Sequence, residues 1–228
     1  MTNYEIKQIM KSKNVQYLYH ANTVKTSTTF LENGGLISRG AVNDLGLVQT
    51  PQISDETDRE FNVDYDIFFD SVDIHERAKK INNYGPVTFV YSIDVIDALP
   101  EGCIKITKTN PMYWNQNMTE EEKYFTNYVD LRNNYEKGNF NQHFTITNQR
   151  QPLTFDYLCK IILDDPHAIR QADQRIFEQA VNYINEAVIE KNINVPLVIR
   201  KCPMGCHCSE QYNNFREGYI YYRFGIDC

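Results

Sequence analysis

A chain of 228 residues is long enough to bury a core of its own, and its 42% hydrophobic and 23% charged fractions are those of an ordinary water-soluble globule. The 13% aromatic share, with 16 Tyr and 12 Phe, excludes a disordered chain, and no apolar run approaches the roughly 20 residues needed to span a bilayer. A net charge of −7 argues against a long basic groove for nucleic acid, so a partner of that kind is expected at a small local site.

The opening MTNYEIKQIMKSKN has no apolar core followed by a cleavage site, so the expected location is the cytoplasm, with no membrane partner and with most of the six cysteines reduced. Tyr4, Ile6, Ile9 and Met10 predict a short amphipathic helix over 4–14, and Val15 to His20 reads as a strand. Thr26 to Asn33 fits a second helix stopped by Gly34. Residues 40–66 are polar and aperiodic, which predicts a long loop of the kind that serves as a lid or binding loop. Ile67 to Phe69 is a short buried stretch, and Asp73 with Glu76 has capping-box spacing.

GPVTFVYSI (85–93) is the clearest strand, followed by CIKITKT (103–109) with alternating apolar positions. A helix is expected over 119–135, opened by Thr119 and three glutamates. HFTITNQ predicts a strand, and YLCKIILDDP a short helix or turn running into a strand that ends at Asp164. A long helix is expected from Pro166 to about residue 191, then strands at VPLVIRKC and GYIYYRFG. Short strands mixed with helices, without regular βαβ alternation, imply an α+β fold in one domain spanning 1–228.

Three stretches hold residues suited to chemistry. His20 ends the first strand, where its ordinary role is a half-buried ring satisfied by a nearby backbone group. DIFFDSVDIHERA places Asp70, Asp73, His75 and Arg77 close together; a capped helix with a solvated face explains them, and a metal set of Asp70, Asp73 and His75 lacks a fourth ligand. RKCPMGCHCSEQY gathers Cys202, Cys206, His207 and Cys208, and a hairpin would return Cys228 to them. The C-x3-C-x-C spacing is not that of a standard zinc knuckle, so an ordinary turn is expected and no metal is assigned, with a structural metal and a redox role as the alternative readings. Cys103 and Cys159 sit in apolar contexts and read as core thiols.

LYHANTV followed by FLENGGLISRG resembles the opening of the ADP-ribosyltransferase fold, and of the DarT-like transferases of bacterial toxin and phage-defence systems in particular. The likeness extends more loosely to DIFFDSVDIHERA and to NQHFTITNQRQPLTFDYLCKIILDDP. It implies a split, bent β core with peripheral helices, NAD as substrate, and RNA or single-stranded DNA as acceptor, with an antitoxin as a further partner. It also implies that His20, Asn22 and Thr23 hold the nicotinamide ribose and amide, that Arg39 meets phosphate or adenosine, that Asp70 and Arg77 contact the nucleotide, and that the loop 40–66 closes over it.

Such transferases carry a glutamate at the start of a late strand, where an anion steadies the oxocarbenium-like state of glycosidic cleavage. The matching position here is His143, preceded by Gln142. The resemblance therefore leaves three readings. His143 with Gln142 takes the glutamate's role, or Glu136 or an aspartate from another loop supplies the carboxylate, or the domain senses NAD or ADP-ribose without turning it over.

Overall fold

The computed structural model describes residues 1–202, 205–214 and 218–226. Thr2 opens α1 (Asn3–Ser12) with a reciprocal capping box to Glu5, and Ile6, Ile9 and Met10 are buried while Tyr4 faces water. β1 (Tyr17–Asn22) runs two residues past His20. Thr23 then accepts from the Thr26 N–H and caps α2 (Val24–Glu32), which ends at Gly34 with φ 75°. β2 (Gly35–Leu36) leads into α3 (Arg39–Asp44), α4 (Asp55–Glu60), β3 (Ile67–Phe69) and α5 (Ile74–Ala78), the last capped by Asp73. β4 (Val87–Ser92), β5 (Ile104–Ile106), α6 (Glu120–Lys123), α7 (Tyr128–Asn134), β6 (Phe144–Ile146), β7 (Leu153–Thr154) and β8 (Leu158–Asp164) follow. α8 (Gln171–Glu190), β9 (Leu197–Arg200), α9 (Cys208–Asn214) and α10 (Tyr219–Phe224) complete the described elements.

The β core is split, as the resemblance implied. One sheet has the order β1-β4-β8-β9, antiparallel except for the β8–β9 pair, whose parallel crossover is made by α8. A second sheet has the order β3-β6-β5, and β2 pairs with β7 in a small ribbon. The two larger sheets meet at one seam. There the Tyr19 N–H donates to the Asp70 carbonyl and the Asp70 N–H donates to the Tyr19 carbonyl, both at 2.9 Å. Phe69 lies under this seam, edge-on to Tyr91, Phe144 and His20.

Four elements differ from the sequence reading, each for a local reason. The expected helix over 119–135 breaks into α6 and α7, because Tyr124 and Phe125 are buried and their segment pairs alongside β5 before Asn127 caps the next helix. The long helix begins at Gln171, since Asp164 and Asp165 are engaged elsewhere and the chain turns at His167. GYIYYRFG is helical over Tyr219–Phe224, burying Ile220, Arg223 and Phe224 at helical spacing against α8 and α2. The loop 40–66 holds most of α3 and all of α4, and threonine hydroxyls of α2 pin it: Thr50 bonds Thr23 and Thr26, and Thr29 donates to the Val48 carbonyl at 2.6 Å. Of the two expected core thiols, Cys159 is exposed and Cys103 only half-buried.

Candidate active site

A cleft of about 810 Å³, counting its open mouth, lies over the seam between the sheets. Its floor follows from strand register. β3 and β6 pair Phe69 with Phe144, so one step further sets Asp70 beside His143. Asp70 Oδ1 lies 3.8 Å from His143 Nε2, and both side chains line the cleft. His143 Nε2 is also 2.9 Å from the Phe140 carbonyl, which only accepts, so Nε2 carries the ring proton. The acceptor in this pair is therefore Asp70. No hydrogen bond from the described residues reaches its carboxylate, and burial pushes its pKa up to about 6, against the opposing pull of His143.

The wall beside this floor carries two more unanswered polar atoms. The His20 Nδ1–H donates to the Phe68 carbonyl at 2.9 Å, so Nε2 is a lone pair, and it is buried with no partner among the described residues. Burial lowers the pKa of His20, with Arg39 adding a smaller push the same way, so the neutral acceptor form is favoured. Arg39 grips Asp55 through Nε and Nη2, and Nη2 also donates to the Thr50 carbonyl at 3.1 Å. Its Nη1 is buried with no partner among the described residues. Asn22 lines the same wall, its Oδ1 already accepting from the Thr23 N–H and from Gln52. Gly85 presses on the peptide that follows β1: a Cβ there would stand 1.9 Å from the Asn22 carbonyl carbon. An acceptor, a cationic donor and an uncompensated carboxylate thus converge on one space, the arrangement by which a site grips a polar ligand and shifts its charge.

No protein-family model matches the sequence, and no curated protein does. The structure of Thermus sp. 2.9 DarT in complex with ADP-ribosylated ssDNA aligns over 82% of this chain and 95% of its own, at 11% identity and a TM-score of 0.51. The chain has a DarT-like ADP-ribosyltransferase fold. The Thermus sp. 2.9 DarT complex with NAD+ aligns over 82% of this chain and 96% of its own, at 11% identity and a TM-score of 0.45.

Within this DarT-like fold, five of the residues singled out from the sequence meet in the cleft: His20, Asn22, Arg39, Asp70 and His143. The other three lie outside its lining. Thr23 caps α2 and holds Thr50. Gln142 accepts from the Glu136 N–H at 2.7 Å and donates to the Asn134 carbonyl, which fixes the turn before His143. Arg77 lies over the Phe140 ring at 4.9 Å, behind the same turn. Glu136 is exposed and away from the cleft. The aspartate–histidine metal set does not form, because Asp73 is bound by Arg200 and His75 turns to Asp164.

Sequence reasoning missed Asp58, Asp66 and Tyr84, all in the cleft lining. Burial raises the first two to about 6 and Tyr84 to about 12. The only signal for Asp58 and Asp66 was the density of aspartates in 55–70, which reads equally well as a solvated loop, and Tyr84 carried none.

Proposed function

We propose that the cleft binds NAD and that the protein transfers its ADP-ribosyl group to a base of single-stranded nucleic acid. The observation that carries this reading is Asp70, a largely buried carboxylate with no hydrogen-bond donor among the described residues, set on the floor of a cleft in a DarT-like fold. His20 Nε2 accepts a hydrogen bond from a ribose hydroxyl, and Arg39 Nη1 donates to the pyrophosphate. When the bond between ribose C1′ and nicotinamide breaks, its electron pair leaves with nicotinamide and positive charge develops on the sugar. Asp70, ionised at neutral pH, faces that charge across a poorly solvated space where an anion is most effective. A base nitrogen then attacks C1′, and Asp70 takes the proton the nitrogen loses, with the His143 Nε2–H steadying the carboxylate. Asp70 thus fills the part for which the resemblance offered His143, the imidazole being committed as a donor.

The rim of the cleft suits an unpaired base. Asn110, Pro111 and Met112 line the cleft, Tyr113 beside them is 71% exposed, and Phe140 is 44% exposed where its carbonyl meets Asn110 and His143. Exposed aromatic faces next to a reacting centre stack unpaired bases, which duplexes hide. In cells this chemistry makes the protein a toxin or antiphage effector that needs an antitoxin. The test is incubation with NAD labelled in the adenylate part, followed by separation of DNA, RNA, protein and free ADP-ribose. Label in single-stranded nucleic acid with equimolar nicotinamide release supports the proposal. Label in protein or water replaces the acceptor, and NAD binding without nicotinamide release makes the domain a sensor.

A further inference from the structure

Where α5 meets the end of β8, a second group of polar side chains has no part in the cleft. His75, Cys202, Cys206 and Cys208 place one nitrogen and three sulfur atoms within 4.8 Å of one another. Cys202 Sγ and Cys206 Sγ lie 3.3 and 3.4 Å from His75 Nε2. The His75 Nδ1–H donates to Asp164 Oδ2 at 2.7 Å, in a pair only 2% and 1% exposed. This leaves Nε2 as a single lone pair facing two thiols, one more than it accepts well.

We propose that these four side chains form a closed tetrahedral site for a zinc-class divalent cation. A zinc ion with sulfur at about 2.3 Å and nitrogen at about 2.0 Å spaces its ligands about 3.5–3.8 Å apart. The 3.3 and 3.4 Å separations open slightly and any wider ones, at most 4.8 Å, close to reach them. The second sphere fits the same assignment. Metal-bound histidines commonly donate their other ring N–H to a carboxylate, as His75 does to Asp164. Asp164 is held in turn by Arg200, whose Nε lies 2.9 Å from Oδ1 while its other nitrogens bind Asp73, the cap of α5. Three soft thiols and an imidazole select zinc over magnesium or calcium. All four positions are filled by protein, so the site is structural, with no open position for substrate.

The cation would clasp the segment entering α9 to α5, 127 residues earlier in the chain. The two already touch where the His207 N–H donates to the Lys79 carbonyl at 2.8 Å and the Ile81 N–H to Gln211 at 2.9 Å. Ligation replaces three S–H bonds by three S–metal bonds, so about three protons leave per ion bound to neutral thiols.

The test is metal content of the full chain, purified under reductant from zinc-supplemented medium without chelator. About one zinc per chain is expected, and cobalt exchanged into the site should give the intense visible bands of a tetrahedral ion with a sulfur-to-cobalt charge-transfer band. Cys206→Ser and Cys208→Ser should lose the ion, while His75→Cys, which keeps a ligand, should retain it. Cys228 lies outside the described residues, and Cys228→Ser should retain zinc as fully as Cys159→Ser. If the serine variants do not fold, His75→Cys and the cobalt spectrum of the unmutated chain decide. No zinc or cobalt uptake under anaerobic reductant would overturn the proposal. So would zinc that persists in the Cys206→Ser/Cys208→Ser double variant, or a disulfide among these cysteines in the reduced preparation. None of these readouts depends on NAD turnover.

Discussion

Replacing Asp70 with Asn should make the protein more stable and far less active. The carboxylate's pKa rises from 3.8 to about 6 on folding, chiefly through burial. At about 1.4 kcal/mol per unit, ionised Asp70 costs the folded state about 3 kcal/mol at neutral pH. An amide of the same shape carries no charge to desolvate but still lacks partners, which returns part of that gain. A net gain of about 1–2 kcal/mol remains, or roughly 2–8 °C in melting temperature for a domain of this size. The sign with pH is fixed. Between pH 6 and 3.8 the folded wild type binds the proton that the unfolded chain has lost, so its stability rises as pH falls. The variant's advantage should therefore be full at pH 7 and gone near pH 4, which paired melting curves would show; Asp58 and Asp66 titrate in both proteins and cancel. Nicotinamide release should fall about a hundred- to ten-thousand-fold in the variant while NAD still raises its melting temperature. A variant that melts below wild type at pH 7, or that keeps its turnover, would refute the role given to Asp70.

In the wild type, kcat/KM for NAD should fall as pH drops through about 6, because the proton that stabilises the fold removes the anion; the residual rate of Asp70→Asn should lack that limb. His20→Ala should lose most of the NAD-induced rise in melting temperature, since its Nε2 is the wall's unpaired acceptor, and an unchanged rise would move the nucleotide elsewhere. Tyr113→Ala should raise KM for the nucleic-acid acceptor several-fold and leave the NAD response intact, as measured by labelling at varied oligonucleotide concentration. Gly85→Ala should lower melting temperature and NAD affinity together, because its methyl would displace the peptide joining Asn22 to Thr23.

Local chemistry fixed much of this protein before any packing was known. The stop of α2 at Gly34, the capping of α5 by Asp73, and the β4 and β8 strands were legible because each depends on neighbours within a few residues. His20, Asn22, Arg39, Asp70 and His143 were legible through the resemblance of their segments to the DarT-like transferases, and the structure brings all five to one cleft. Their roles were not. Which atom of His20 or His143 bears the proton depends on the Phe68 and Phe140 carbonyls, 48 and 3 residues away in sequence, and on where the ring is turned. Asp70 became the unsatisfied carboxylate only when the register of β3 on β6 and the seam with Tyr19 buried it. GYIYYRFG reads as a strand by itself, and it is helical because α8 and α2 supply an apolar surface for Ile220 and Phe224. The cysteine cluster shows the same limit: its own segment offers His207 beside the three cysteines, whereas the histidine that meets them in the fold is His75, 127 residues upstream of Cys202. Sequence sets what depends on the next few residues; contacts between distant segments decide charge, tautomer and ligand sets, because burial and partners are properties of the folded chain.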